Sequence, residues 1–388
     1  MLFTLEALDA AHGDALLLHW RTGSGSALRT ALIDGGPTVT WKATLKPRLL
    51  QLIAERGGEL RLPFAMVSHV DDDHTGGFGK FFEWLDGSTP PRPVLIDTLW
   101  LNSFGAITAG RAATADTAAW PQEDAALDDF VTAAQQALQS FGERSAERDA
   151  AAVLTSVKQG AQIAGYAKRL RILRNSGEDV LMRPTAAGTF TRKRFGGLTL
   201  TVIAPAEADL DRLKASWKDM LKKVKAKTVS YAELADYVDK SVNNLSSIVV
   251  LAECGGRRML LTGDARGDSV VAGLEDAGLL ANGSVHVDVL KMPHHGSWRN
   301  MSGEFFRQVV ADYYVFSADG KYDNPDEETI AALLDTREDD DFTLVLTNDC
   351  AGRAAWIERQ RRTRKRHFRL SVREPRRLSV MVHLGDPL

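Results

Sequence analysis

"SHVDDDHTGG", residues 68–77, sets two histidines and three aspartates in six positions, between the apolar run "FAMV" and a glycine pair. Imidazoles and carboxylates are the donors that hold divalent ions, at about 2.0–2.2 Å when the ion is zinc. A solvated loop would account for three aspartates. It would not account for the order His69, Asp71, Asp73, His74. Alternation along an extended loop points His69, Asp71 and Asp73 to one side, and His74 reaches round the turn. Gly76 and Gly77 remove side chains where the backbone must pass close by.

Three further apolar runs end in side chains of the same kind. "ALIDGG" ends on Asp34, "LLTGDA" on Asp264, and "VLKMPHHGS" on His294 and His295. Each has an ordinary reading by itself: Asp264 caps the next helix, Asp34 satisfies a turn, and one of the paired histidines is structural. Four strand ends together make a constellation that chance explains poorly. Lys291, Arg299 and Lys321 stand beside these motifs and are candidate contacts for an anionic substrate.

The rest of the chain supplies the frame. "LFTLEAL", "DALLLHW" and "ALRTALID" read as strands divided by Gly and Ser turns. A helix is expected from Pro47 through Arg56, ending on glycines. "FAMVS" reads as a buried strand, "GGFGKFFEWL" as a helix start and "PVLIDTLWL" as another strand. From 105 to 192 alanine dominates and apolar residues recur at helical spacing (Phe130, Val131, Leu138, Phe141; then Val153, Leu154, Val157), which predicts a helical insertion. Strands return at "GLTLTVIAP", a helix follows over roughly 206–225, and strands and helices then alternate to "FTLVLTN". Two sheets between helical layers are the expected architecture.

Composition narrows the setting. Charged residues are 26% of the chain and balance to a net −3, which singles out no partner. Cys254 and Cys350 are far apart and read as reduced thiols. Neither a basic-then-apolar leader nor a run of about 18 apolar residues is present, so a cytoplasmic protein without a membrane span is expected. The basic run "RQRRTRKRHFRLSVREPRR" near the end reads as a solvated helix and edge strand, with phosphate contact as the other reading.

In their order along the chain, these motifs resemble the metallo-β-lactamase superfamily, whose signature is H-x-H-x-D-H. The likeness is to the hydrolase domain of ComEC-type competence DNA-uptake proteins. "LDAAHGDALLL" looks like that group's first hairpin and "LIDGG" like its second strand motif. "SHVDDDHTGG" has the H-x-D-x-D-H form, with Asp71 where most relatives carry a second histidine; "NNLSSIVVL", "LLTGDA", "LKMPHHGS" and "FSADGKYDNP" follow. The likeness spans about 1–104 and 195–330. It implies an αββα sandwich made of 1–104 and 193–350. The 105–192 insertion and the basic 351–388 extension fall outside the likeness; the insertion's apolar faces and its junctions near the 68–74 turn suggest a cap over the site, with a peripheral helical pair as the alternative, and the extension is expected to pack on the domain.

The resemblance also implies a site of two divalent ions, zinc or manganese. Asp73, His74 and one of His294/His295 would hold one ion, His69 and Asp71 the other, with Asp264 between them and Asp34 behind a ligating histidine. Two departures stand out. No histidine occurs between Asn102 and Gly263, and Asn324–Pro325 replaces a His-Pro pair, which makes Asn324 a further candidate at the substrate side. Three carboxylates in place of two favour harder ions such as manganese. The function expected is hydrolysis of phosphodiester bonds, in nucleic acid or another phosphodiester, with Asp73, Asp264, His294 and His295 as the catalytic set and the non-ligating histidine of the pair as proton donor. Hydrolysis of a small ester, lactone or thioester, and partner binding by a degenerate site, are the alternatives.

Overall fold

Leu2–Leu8, Leu16–Arg21 and Arg29–Ile33 pair as neighbouring antiparallel strands. In the computed structural model, which describes residues 1–109, 158–184, 189–226, 243–337 and 339–388, they belong to a seven-stranded sheet. Its order is Ser379–His383, Leu2–Leu8, Leu16–Arg21, Arg29–Ile33, Ala65–Met66, Thr98–Trp100 and Leu173–Arg174. The last four strands run parallel. A second sheet of eight strands has the order Arg369–Val372, Thr343–Leu346, Val309–Phe316, Val285–Lys291, Arg257–Leu261, Val249–Cys254, Leu198–Ala204 and Arg192–Phe195. Its first five strands are parallel. The chain is therefore a mixed α/β structure.

Period-two alternation sorts the side chains into separate cores. Leu16, Leu18 and Trp20 enter one cluster, together with Met66 and Trp100 from their own sheet and Val250, Leu261, Val289 and Val315 from the other. Leu17, between them in sequence, enters a second cluster with Leu49 and Leu52 of the helix Lys46–Glu55 and Phe78, Phe81 and Phe82 of the helix Asp72–Asp86. On the eight-stranded sheet, Leu251, Leu260 and Tyr314 join Val270, Leu274, Phe305 and Leu333 in a third cluster. Burial of each large side chain stabilises the fold by roughly 1.5–3 kcal/mol.

The elements differ from the sequence reading in four places. The helix expected from Pro47 starts at Thr38, passes through a π-turn at Trp41–Leu45 and continues over Lys46–Glu55. The wider turn, with Lys46 N–H donating to the Trp41 carbonyl, makes room for a ring that would clash inside a regular helix. "PVLIDTLWL" is two strands, Val94–Ile96 and Thr98–Trp100, and the first pairs with Leu60–Leu62 outside both large sheets. The helix expected to open at the glycines begins at Asp72. Residues 351–388 carry the expected helix and edge strand, Arg353–Thr363 and Arg369–Val372, and add an edge strand to the other sheet, Ser379–His383. Four basic side chains of this region are ion-paired, Arg361 with Glu358, Arg364 with Asp335, Arg366 with Asp340 and Arg373 with Asp9.

The apolar residues expected at 130–157 lie outside the described residues. The described end of that region is helical over 158–169 and buries Ile163, Ala164 and Ala167 in the same cluster as Phe78, Phe81 and Phe82. Among the described residues, no helix is long and apolar enough to cross a membrane.

Candidate metal centre

All four ligand-bearing segments leave the C-terminal ends of strands. Asp34 follows Arg29–Ile33, the 68–74 turn follows Ala65–Met66, Asp264 follows Arg257–Leu261 and His294–His295 follow Val285–Lys291. The turn is less extended than alternation suggested. The Asp71 carbonyl accepts from the N–H groups of His74 and Thr75, at 3.0 and 2.9 Å, so Asp73 and His74 are delivered by the first turn of a helix. Carboxylates there are favoured by the positive end of the helix dipole. Two glycines permit the close approach. A Cβ on Gly13 would lie 1.9 Å from the Asp73 carbonyl oxygen, and one on Gly77 would lie 2.0 Å from that of Gly35.

Asp73, His74, Asp264 and His295 bring their donor atoms within 4.8 Å of one another and form a group that could hold a metal ion. His74 Nε2 is 3.3 Å from Asp264 Oδ1 and 3.8 Å from Asp73 Oδ2. His295 Nε2 is 3.2 Å from Asp73 Oδ2 and 3.3 Å from Asp264 Oδ2. Four donors set tetrahedrally around one ion at about 2.0–2.2 Å stand roughly 3.3–3.6 Å apart; three of these distances lie close to that range, and the His74–Asp73 distance, at 3.8 Å, lies above it. Beside them, His69 Nε2 lies 3.4 Å from Asp71 Oδ2 and 3.9 Å from Asp264 Oδ2.

Several polar atoms at the centre lack hydrogen-bond partners. His69 Nε2, His74 Nε2, His295 Nε2 and Asp264 Oδ1 are buried without a hydrogen bond. Native interiors rarely leave such groups unsatisfied, because each costs about 1–3 kcal/mol. Three imidazole nitrogens converging on carboxylate oxygens fit a cation, so the donor set passes the chemical test for a metal.

The opposite edges of the rings are satisfied. His74 Nδ1 bonds Asp34 Oδ2 at 2.9 Å, and the same carboxylate accepts from Ser68 N and Ser68 Oγ, both at 2.7 Å. His295 Nδ1 donates to the Ser317 carbonyl at 2.9 Å. With Nδ1 engaged, each Nε2 is left aimed at the centre. The backbone is strained to achieve this: Asp34, His294 and His295 have φ of 58°, 46° and 57°, a left-handed conformation costing non-glycine residues about 1–3 kcal/mol.

Electrostatics follow from the crowding. Burial opposes ionisation of Asp264, but the charges of His295, His74 and His294 outweigh it and hold the carboxyl well below its ordinary range. Asp73 moves the same way, with His74 and His295 overcoming burial. Burial pulls His74 and His295 down, and the surrounding carboxylates more than reverse this and raise both.

The paired histidines separate clearly. His295 is buried and sits among the four donors. His294 keeps 30% of its side chain exposed, with Nε2 3.7 Å from Asp264 Oδ2. Of the expected substrate contacts, Lys291 is corrected. Its side chain is fully buried and its Nζ is ion-paired with Asp14 behind the rings of His74 and His295, so it cannot face a substrate. Arg299 lines a cleft of about 470 Å³ with Arg266, Asp268 and Glu304. Lys321 is exposed near His12, with 3.4 Å between Nζ and Nε2. Asn324 is half-buried and precedes Pro325, which packs on Gly296 of the histidine turn.

The motif reading overlooked Asp14, Ser68, Ser317 and His12. Asp14 Oδ1 lies 3.4 Å from His295 Nδ1. The available signal was Asp14 at the end of "HGD" in a loop otherwise made of small residues, joined to a lysine at the end of an apolar strand. No protein-family model matches the chain, and no curated protein sequence matches it.

Proposed function

We propose that the protein is a metal-dependent hydrolase of phosphodiester bonds. The observation that carries this reading is the convergence of Asp73, His74, Asp264 and His295 on one point, with the buried His74 Nε2, His295 Nε2 and Asp264 Oδ1 lacking a hydrogen bond. In this reading those four residues hold one divalent ion. His69 and Asp71, which lie beside Asp264, would hold a second. Divalent ions in such a setting supply Lewis acidity and lower the pKa of water. We further read the two sheets, with one core between them and helices on their outer faces, as the αββα sandwich of the metallo-β-lactamase type; the three separate core clusters support that reading. The end of the insertion near the ligand turn supports a cap, since Gln159 Nε2 donates to Asp72 Oδ1 at 2.7 Å and Gln159 Oε1 accepts from Thr75 Oγ1 at 2.6 Å.

The chain's own groups have distinct tasks. Asp34 and the Ser317 carbonyl fix the rotation of His74 and His295. Asp14, neutralised by Lys291, lies behind both rings. His294, with its partly exposed imidazole, is positioned to pass a proton to the leaving oxygen. Three carboxylates reduce the positive charge left on two divalent ions, so manganese is the expected metal and an anionic substrate needs help from cations at the rim. The test is hydrolysis of bis(p-nitrophenyl) phosphate by manganese-loaded protein. Activity that disappears in Asp264→Asn supports the reading. Hydrolysis of p-nitrophenyl esters without any phosphodiester cleavage would replace it with an esterase.

A further inference from the structure

Two loops that carry no ligand meet at the rim of the centre. The first, at residues 9–14, is pinned to the ligand turn: Asp14 N–H donates to the Asp73 carbonyl at 3.2 Å, and Gly13 lies against that same carbonyl. The second, at 317–325, is pinned to the other side, since the Ser317 carbonyl accepts from His295 Nδ1. The loops are stitched together by Ser317 Oγ, which donates to the Gly13 carbonyl at 2.7 Å. Residues projecting from their junction therefore stand next to Asp73 and His295.

Those residues are His12, Lys321 and Tyr322. Lys321 Nζ is 3.4 Å from His12 Nε2 and 4.9 Å from the centroid of the Tyr322 ring. The His12 ring meets Tyr322 edge-on, at 5.4 Å and 86°. Tyr322 is 63% exposed, the highest value for a large hydrophobic side chain among the described residues. An exposed ring, a cation and an imidazole thus share one junction beside Asp73 and His295. A cation with an open aromatic face is the arrangement that binds one phosphate and one base of a single strand. The other candidate cations are engaged elsewhere, Lys291 with Asp14 and Arg299 in its own cleft.

We propose that His12, Lys321 and Tyr322 form a nucleotide subsite at the rim, in which Lys321 and His12 meet a phosphate oxygen and the Tyr322 ring stacks on the adjacent base. The subsite rests on the phosphodiesterase reading above. Its ligand chemistry is a phosphodiester flanked by a nucleobase, supplied by a single strand or by a free dinucleotide.

Fluorescence anisotropy on the full, manganese-loaded chain tests it, with labelled hexathymidylate carrying phosphorothioate linkages and with a cyclic dinucleotide as competitor. Tyr322→Ala should weaken binding about 5- to 150-fold, the contribution of stacking one base. Tyr322→Phe should stay within about threefold, since phenylalanine keeps the stacking face. Lys321→Gln should flatten the slope of log affinity against log salt by about 0.7. A competitor as tight as the strand would identify a dinucleotide unit, a weaker one would identify a strand, and both support the subsite. Unchanged affinity in Tyr322→Ala overturns it, as does wild-type protein that binds neither ligand. Binding without any phosphodiester cleavage would sink the catalytic reading and leave the subsite. Cleavage of bis(p-nitrophenyl) phosphate together with an inert Tyr322→Ala would do the reverse.

Discussion

Lys291→Met strands a carboxylate in the interior. Lys291 is fully buried, Asp14 is 1% exposed, and the two form an ion pair behind the rings of His74 and His295. Methionine keeps most of the lysine's length and apolar volume, so the change removes mainly the charge. The nearest imidazoles are already engaged elsewhere. His295 Nδ1, at 3.4 Å from Asp14, already donates to Ser317, and His74 Nδ1, at 4.0 Å, is held by Asp34. Removing one partner of a buried pair costs about 3–5 kcal/mol. At roughly 2 °C per kcal/mol for a large chain, the melting temperature should fall by about 6–10 °C. Thermal unfolding at pH 7 reads this directly. The double variant Asp14→Asn, Lys291→Met should recover more than half of the loss, because most of the cost is the charge left behind. The pH dependence has a definite sign. Burial resists ionisation of Asp14, but Lys291 and His295 hold its pKa at about 2, against 3.8 ordinarily. The stabilisation is therefore complete above pH 3.8 and is lost as pH falls through 2. In Lys291→Met the deficit should shrink on acidification, since Asp14 can then take up a proton. A single variant within about 1 kcal/mol of wild type, or a double variant no better than the single, would refute the reasoning.

Three other expectations follow from the same structure. Glu6, buried among His19, Arg48 and Ser379, is held at about 2 against 4.5 because His19 and Arg48 outweigh its burial; Glu6→Gln should flatten the acid limb of the stability curve between pH 4.5 and 2, as measured by urea midpoints. Manganese should support faster phosphodiester hydrolysis than zinc at matched occupancy, and equal or better rates with zinc would count against the charge argument. Replacing residues 110–157 with a short linker should change the ratio of rates on oligonucleotide and small diester, because Gln159 ties the end of that region to Asp72 and Thr75; an unchanged ratio in folded, metal-loaded protein excludes a cap.

Much of the site was legible because its residues stand at the ends of apolar runs, where a local pattern is enough. His69, Asp71, Asp73, His74, Asp264 and Asp34 could be named from such runs, and the structure gathers them. What a local pattern could not supply was partnership across the chain. Lys291 looked like a rim cation since nothing near it in sequence announces Asp14, 277 positions earlier, as its counter-ion. The choice between His294 and His295 depended on two consecutive left-handed residues turning one ring inward and the other toward solvent. Helix starts were misplaced for local reasons of a different kind. Pro47 concealed a helix that a π-turn carries past it, and the aspartates of the ligand turn were read as loop although they open a helix. The C-terminal run was correctly expected to form a helix and an edge strand, but pairing of Ser379–His383 with Leu2–Leu8 is a long-range contact that composition does not encode.

The central claim is a metal site built on Asp264 and its neighbours. Metal content of the full chain, measured by plasma mass spectrometry after equilibration with manganese or zinc and removal of free ion, tests it most directly. The account predicts up to two ions per chain in the wild type and less than one in a folded Asp264→Ala variant, since that carboxylate lies beside both sets of donors. Wild-type stoichiometry in Asp264→Ala, or a wild-type chain that retains no metal, would contradict it.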